Sequence, residues 1–352
     1  MNQPMKTLRI ALLVPAPFDT ISGGYLYDRR LVEGLRALGH AVRVDELAGR
    51  FPMPDATAEA AVEAAWARLA PDEVPLIDSL ALPAFRPLAR VLAARNAVAL
   101  IHHPTSLEPG PYQAELAAIE RVVFAACGRL VATSRATAKG LPPLGAEASR
   151  IGVVEPGTDP APRAAGSGGP GARILSVGSL IPRKGHDVLL RALGRLTDLD
   201  WTLRIAGPAA DPVHADGLRA LAEELGLASR VSFLGPITDG ALEAEYAAAD
   251  LFALATWFEG FGMAAAEAQI RGLPLILCTG GAITDVVGPG AAILAAPGDA
   301  NSLSRGMRRP IMDTALRAEM AEASWRAGQA LPRWEDRAAR FVAEMEAAGH
   351  GQ

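Results

Sequence analysis

A chain of 352 residues, half of them hydrophobic, is long enough for two domains that each bury a core. Its formal charge of -5, with both signs well mixed, excludes a broad electrostatic surface for nucleic acid or an anionic membrane. No apolar run is long enough to span a bilayer or to serve as a secretory core, so no integral membrane association is expected and the cytoplasm is the expected compartment.

Strand and helix alternate from the start. Leu8 to Val14 reads as a strand, Tyr25 to Leu38 as a helix ended by Gly39, and Ala41 to Val44 as the next strand. Ser22-Gly23-Gly24 lies between the first strand and helix, where its backbone is expected to approach a phosphate or sugar. Ala56 to Leu69 is alanine-rich and helical, Ala97 to Ile101 a strand, Pro111 to Ala126 a helix and Arg129 to Thr133 another strand. His102 and His103 follow a strand at its carboxyl end, where open parallel sheets bind ligands. Glu108 is the nearest acid and no ligand spacing surrounds the pair, so no metal is expected. Cys127 and Cys278 sit in apolar surroundings and read as reduced, buried thiols.

Pro156 to Gly171 is rich in Pro, Gly, Ala and Ser and reads as an interdomain linker. The expected division is a first domain over 1–158, a linker over 159–172, a second domain over 173–331 and a terminal helical segment over 332–352. In the second half, strands are expected at Arg173 to Val177, Trp201 to Ala206, Val231 to Leu234, Leu251 to Thr256, Pro274 to Cys278 and Ala291 to Leu294, with helices between them. This alternation implies an α/β fold with parallel sheets covered by helices on both faces. Asp198 and Asp200 stand between a helix and a strand and read as a turn.

Chemistry collects at two loops of the second half. Arg183 and Lys184 follow a strand and precede the helix of His186 to Leu196, a place where two cations can neutralise a diphosphate. Trp257 to Ala268 joins a strand to a glycine turn, Gly260-Phe261-Gly262, and to a helix running from Met263 to Arg271. The unpaired N–H groups at such a helix start favour a phosphate. Glu259 in the turn and Glu267 in the helix are placed to grip different hydroxyl groups of one ligand.

The spacing Glu259, seven residues, Glu267, with Gly-Phe-Gly after the first acid, resembles the signature of the retaining glycosyltransferases of family 4 (glycosyltransferase group 1), which have the GT-B fold. Tyr246 to Leu254, Gly272 to Ile276, the turn Gly280-Gly281 and the segment Ile174 to Gly185 are similar to the family's neighbouring segments. The resemblance implies two Rossmann-like domains facing a central cleft that closes on the donor, and a last helix, Trp334 to Ala347, crossing back to the first domain. It implies transfer of a hexose-type sugar from a nucleoside diphosphate sugar to a small hydroxyl acceptor, with retention and with neither cofactor nor metal. UDP is the first expectation for the nucleotide and GDP the second.

By that resemblance, Glu267 binds the ribose and Glu259 the sugar ring, while the backbone of Gly260 to Gly262, with Phe261 and Met263 beside it, holds sugar and phosphate. Arg183 and Lys184 hold the diphosphate, and Gly235 and Pro236 border the base. Ser179 stands where many members carry a second arginine, and Arg183 is expected to replace it. Ser22, Gly23 and Gly24 match the family's amino-terminal glycine loop. His102, or else His103, occupies the place of a histidine that contacts the transferred sugar. Loops Asp19 to Tyr27 and Ser106 to Tyr112 are expected to build the acceptor pocket, with Tyr25, Tyr27, Ser106 and Tyr112 as its candidates. Three other readings stand beside this one: a non-catalytic nucleotide-sugar sensor or subunit, a dinucleotide-dependent oxidoreductase, and a nucleotide-sugar 2-epimerase. The oligomeric state is not expressed in the sequence.

Overall fold

Six short apolar segments build the first of two sheets in this computed structural model, which describes residues 7–108 and 111–349. They are β1 (Arg9–Pro15), β2 (Ala41–Leu47), β3 (Glu73–Asp78), β4 (Val98–Ile101), β5 (Arg129–Ala132) and β6 (Ile151–Val153). All pair in parallel, in the order β2-β1-β3-β4-β5-β6. Parallel neighbours cannot be joined by tight hairpins, so helices occupy the crossovers. These are α1 (Gly23–Ala37), α2 (Ala56–Ala67), α3 (Ala89–Ala94), α4 (Gln113–Ala126) and α5 (Arg135–Gly140). Every residue of β3 and β4 is buried, as expected of strands covered on both faces. Pro109 and Gly110, inside the loop predicted to border an acceptor, lie outside the described residues, as do the two chain ends.

The second sheet follows the same logic. β7 (Ala172–Val177), β8 (Trp201–Ala206), β9 (Val231–Gly235), β10 (Leu251–Leu254), β11 (Leu275–Cys278) and β12 (Ala292–Ala295) run in parallel in the order β12-β11-β10-β7-β8-β9. Between and after them lie α6 (His186–Leu193), α7 (Pro212–Glu224), α8 (Asp239–Ala247), α9 (Met263–Ile270), α10 (Ile283–Val286), α11 (Ala300–Met312) and α12 (Thr314–Gln329). Alternation along β10 shows why the sheet is covered twice. Leu251 and Ala253 join the cluster of Leu189, Leu203 and Ile276 on one face, while Phe252 and Leu254 join Leu175, Leu277 and Ile283 on the other. Each such buried leucine contributes roughly 1.5 to 3 kcal/mol.

By internal contacts the chain forms two units, one of residues 1–20, 24–157 and 333–352 and one of residues 21–23 and 158–332. The last helix, α13 (Arg337–Ala347), is thus part of the first unit. Phe341 and Met345 are fully buried there, and Glu344 accepts a 2.7 Å bond from Arg129 Nε. Gly34 of α1 allows the close approach, since a Cβ there would stand 2.8 Å from Ala338 Cβ. Trp334 to Asp336, predicted as the start of this helix, form a separate 3-10 turn.

Two strands escaped the sequence reading. In β3, Pro75 argues against an interior strand, yet β4 pairs only from Leu76 onward, so Pro75 stands before the strand is flanked on both sides. β6 is three residues long and contains Gly152, where any Cβ would collide with the Glu344 carboxylate. The segment read as a linker also differs from a free connector. The Ala164 N–H donates to Arg271 O (2.9 Å), Ala165 and Gly166 to Ala247 O, and Ser167 to the Asp250 carboxylate (3.1 Å), so these residues are fastened to the second unit. Among the described residues, no helix is long and apolar enough to cross a membrane.

Candidate functional site

The order of the second sheet reverses between β7 and β10, and such a switch point opens a crevice at the carboxyl ends of its strands. The two chemistry-bearing loops leave those same two strands. After β7 the chain passes Gly178 and Ser179 to a 3-10 turn, Pro182–Lys184, and Gly185 starts α6 in the left-handed region at φ 63°. A Cβ on Gly185 would stand 2.1 Å from Ala255 O, so this position requires glycine. After β10, Trp257 to Gly262 lead into α9, with Gly262 as N-cap at φ 99°. The turn Gly280-Gly281 grips this loop. Glu259 N–H donates to Gly280 O (3.2 Å) and Ala282 N–H to Glu259 O (2.9 Å), while a Cβ on Gly281 would stand 2.1 Å from Glu259 O.

The loops meet through charge. Lys184 Nζ lies 2.5 Å from Glu259 Oε1, with side chains 16% and 9% exposed. Burial pushes the Glu259 pKa up, but Lys184 and Arg183 outweigh it and hold the carboxyl below its usual range. The result is a mostly dry ion pair at the switch point. Arg183 bonds to the same loop through its side chain and its carbonyl. Its Nη1 donates to Phe258 O (2.8 Å) and its carbonyl accepts from Trp257 N–H (2.8 Å) and Thr256 Oγ1 (3.1 Å), so it ties the two loops together. Ser179 is half-buried beside it in the chain order, and Gly235 (φ 68°) ends β9 with Pro236 exposed.

Glu267 points its Oε2 at Tyr246, whose hydroxyl donates at 3.0 Å. Burial raises the Glu267 pKa, opposed by that bond and by Arg271. Arg271 in turn lies 4.5 Å over the Tyr246 ring and donates to Glu267 O (2.8 Å). The helix start between the two acids carries Met263, half-buried, and Phe261, which packs with Ala266 and Val286. Tyr246 is a partner of Glu267 that spacing did not reveal, because it reaches Glu267 from another helix.

In the first unit, His102 follows β4, and its Nε2 lies 3.1 Å from both Asp28 Oδ1 and Asp78 Oδ2. Asp28 comes from α1 and Asp78 from the end of β3, so the fold supplies the carboxylates that sequence spacing did not show. Burial alone would lower the imidazole pKa; the two aspartates outweigh it and raise it to about 10. Burial likewise lifts Asp28 to about 6 against the pull of His102. Among the described residues this is the one trio whose ligand-type atoms all lie within 4.8 Å of one another; the single Nε2–H of the imidazole is shared between the two acids, and Asp28 Oδ2 is buried with no hydrogen-bond partner among the described residues. Gly24 lies against the ring, 3.2 Å from His102 Cδ2 for a built Cβ, while Ser22 and Gly23 stand at the start of α1.

His103 is instead joined to Glu108, Nε2 to Oε1 at 2.6 Å. A cavity of about 530 Å³ opens nearby in the same unit, with Tyr25 and Tyr112 in its wall. The other two acceptor candidates do not line it. Tyr27 is 1% exposed and donates to Val154 O (2.9 Å), packing its ring against His102 and Trp334. Ser106 is 4% exposed and its hydroxyl donates to the buried Glu120, which also accepts from Thr105 N–H and so pins this turn. Arg50 and Phe51, which do line the cavity, carried no motif.

Comparison with known proteins agrees with this geometry. The family model for glycosyl transferases group 1 matches residues 161–326. A D-inositol 3-phosphate glycosyltransferase of Nocardia farcinica is 36% identical over 200 residues, covering 52% of this chain and 44% of that protein. Its counterpart in Salinispora arenicola is 34% identical over 236 residues, covering 59% and 52%. The chain therefore spans about half the length of the curated relatives it matches. Among solved structures, a sucrose-phosphate synthase of Thermosynechococcus elongatus superposes with TM-score 0.82 at 19% identity, covering 98% of this chain and all of that one. HepE of Anabaena, in complex with UDP and glucose, superposes with TM-score 0.77 at 18% identity, covering 96% and 99%. At such identities the likeness establishes the fold, which is GT-B. The motifs, the paired loops and the family match agree in this part of the chain, where residues 161–326 are similar to the glycosyl transferases group 1.

Proposed function

We propose that the chain transfers a hexose from a nucleoside diphosphate sugar, UDP-glucose first among them, to an acceptor hydroxyl with retention at the anomeric carbon. The reading places it in family 4 of the retaining glycosyltransferases. It rests above all on the Lys184–Glu259 pair, set at the sheet's switch point beside the N-terminus of α9. The relatives' names and the UDP-bound state of HepE point the same way.

When the bond from the anomeric carbon to the phosphate oxygen breaks, the leaving diphosphate gains negative charge. Lys184 and the free N–H groups at the start of α9 meet that charge, which favours the transition state over the bound donor. No metal ion is needed for this neutralisation. Glu259 accepts hydrogen bonds from the hexose and Glu267, held by Tyr246, from the ribose. The acceptor oxygen bonds to the anomeric carbon on the face the phosphate leaves, and its proton passes to the departing phosphate oxygen, so no protein nucleophile takes part. His102, held as a cation by Asp28 and Asp78, contributes a hydrogen bond to the transferred sugar.

Calorimetric titration with nucleoside diphosphates, followed by assay of sugar release from UDP-glucose, tests the reading. Lys184→Ala and Glu259→Ala are expected to lower the release rate by roughly 100-fold, the scale of one lost charge-stabilising donor. Release that persists in both variants, or tight binding of a nicotinamide dinucleotide with no response to UDP or GDP, would overturn it.

A further inference from the structure

Resting on that function, we infer that the cavity of the first unit is the acceptor site and that it takes an uncharged, hydroxylated ring compound, not a phosphorylated one. At about 530 Å³ it has the scale of small-molecule sites. Its walls divide by chemistry. Phe51, Leu80, Leu116 and Pro52 offer apolar surface suited to the C–H face of a ring, whereas Glu108, Gln113 and the Tyr112 phenol offer hydrogen-bonding groups suited to hydroxyls.

Charge decides between a neutral and an anionic ligand. Of the described residues lining the cavity, only Arg50 and Glu108 are charged, and they cancel. Arg50 is directed elsewhere: its Nε donates to Asp55 Oδ2 (3.3 Å), its backbone N–H donates to the same carboxylate (3.2 Å), and its side chain is 82% exposed. A phosphate monoester is ordinarily held by several charge-assisted donors, and here it would share the cavity with the Glu108 carboxylate. Glu108 is also the residue joined to His103 at 2.6 Å, which puts the hydroxyl-binding edge of the cavity beside the histidine pair that follows β4. The acceptor thus lies with its apolar face on Phe51 and its hydroxyls toward Glu108.

The full chain is titrated by saturation-transfer NMR with two matched pairs, myo-inositol against myo-inositol 1-phosphate and methyl glucoside against glucose 6-phosphate, with UDP titrated alongside. The uncharged member of at least one pair is expected to bind more tightly than its phosphate. Tyr112→Ala, at a 53% exposed position, is expected to weaken it by roughly ten-fold, and Phe51→Ala similarly, with UDP affinity unchanged. Tighter binding of the phosphorylated members, no binding of either neutral probe, or neutral binding that survives both substitutions would overturn this inference. Failure of UDP to bind would instead overturn the function proposed above, so the two outcomes are separable.

Discussion

Lys184 and Glu259, 75 residues apart in sequence, stand 2.5 Å apart because β7 and β10 are neighbours at the place where the second sheet changes direction. Removing either charge strands the other in a site from which water is largely excluded. Lys184→Ala and Glu259→Gln should each destabilise the second unit by roughly 3 kcal/mol, and the double substitution by clearly less than the sum. Urea unfolding of the four proteins in the cycle measures the coupling, and additive losses would contradict it.

Two glycines predict opposite responses to the same substitution. Gly281 has φ 70° and a built Cβ stands 2.1 Å from Glu259 O, so Gly281→Ala must displace the loop that carries Glu259. A loss of roughly 2 kcal/mol or more is expected, with donor binding lost in parallel. Gly240 lies in α8 with open space around its Cβ position, and Gly240→Ala should stabilise by about 0.5 to 1 kcal/mol. Melting temperatures compare the two directly.

Tyr246→Phe keeps the stack on Phe252 and removes the hydroxyl that donates to Glu267. Hydrogen bonds to a charged group are worth about 1.5 to 3 kcal/mol, so both stability and nucleotide affinity should fall. Calorimetry with UDP should show a loss of roughly ten-fold, concentrated in the ribose contact and absent with a 2′,3′-dideoxy nucleotide.

Acid should weaken the second unit through His186. Burial, then Lys184, lowers its pKa to about 3, and neither ring nitrogen has a hydrogen-bond partner among the described residues. The unfolded chain takes up a proton below about pH 6.5 while the folded one does not, so stability present above pH 6.5 declines from there down to about pH 3. His186→Leu should flatten that acid limb and leave stability at neutral pH equal or slightly greater. An unchanged pH profile in His186→Leu would contradict the assignment.

The first unit should respond to alkali. With the His102 pKa raised to about 10, the stability gained from the two aspartates is complete below pH 6.5 and is lost as pH rises through 10. Asp28→Asn removes one acid, lowers the His102 pKa and should move the alkaline limb of both stability and activity to lower pH. Asp78→Asn should act in the same direction, and paired pH–rate profiles check both.

Local patterns made much of the fold legible: apolar runs such as Leu251 to Leu254, and the glycine turn ahead of α9, mark strands and a helix start without reference to anything distant. The acids Glu259 and Glu267 and the cation Lys184 were legible for the same reason, each being bound to a local strand, turn and helix order. What stayed hidden is what distant segments bring together. Asp28, Asp78 and His102 come from three segments, Tyr246 reaches Glu267 from another helix, and Arg183 spends its guanidinium on a backbone carbonyl 75 residues away. Pro75 concealed β3, and Tyr27 looked like a pocket residue because burial is not written in residue type.

The glycine pair that clamps the Glu259 loop also sets how this protein can be re-engineered. Because Gly280, Gly281, Gly185 and Gly262 fix main-chain path by the space their hydrogens leave, a combinatorial library that touches them should yield mostly unfolded clones. Diversity placed at Met263, Ser179 and Pro236, which are half-buried or exposed, leaves that path intact and, on the function proposed above, is expected to sample donor preference.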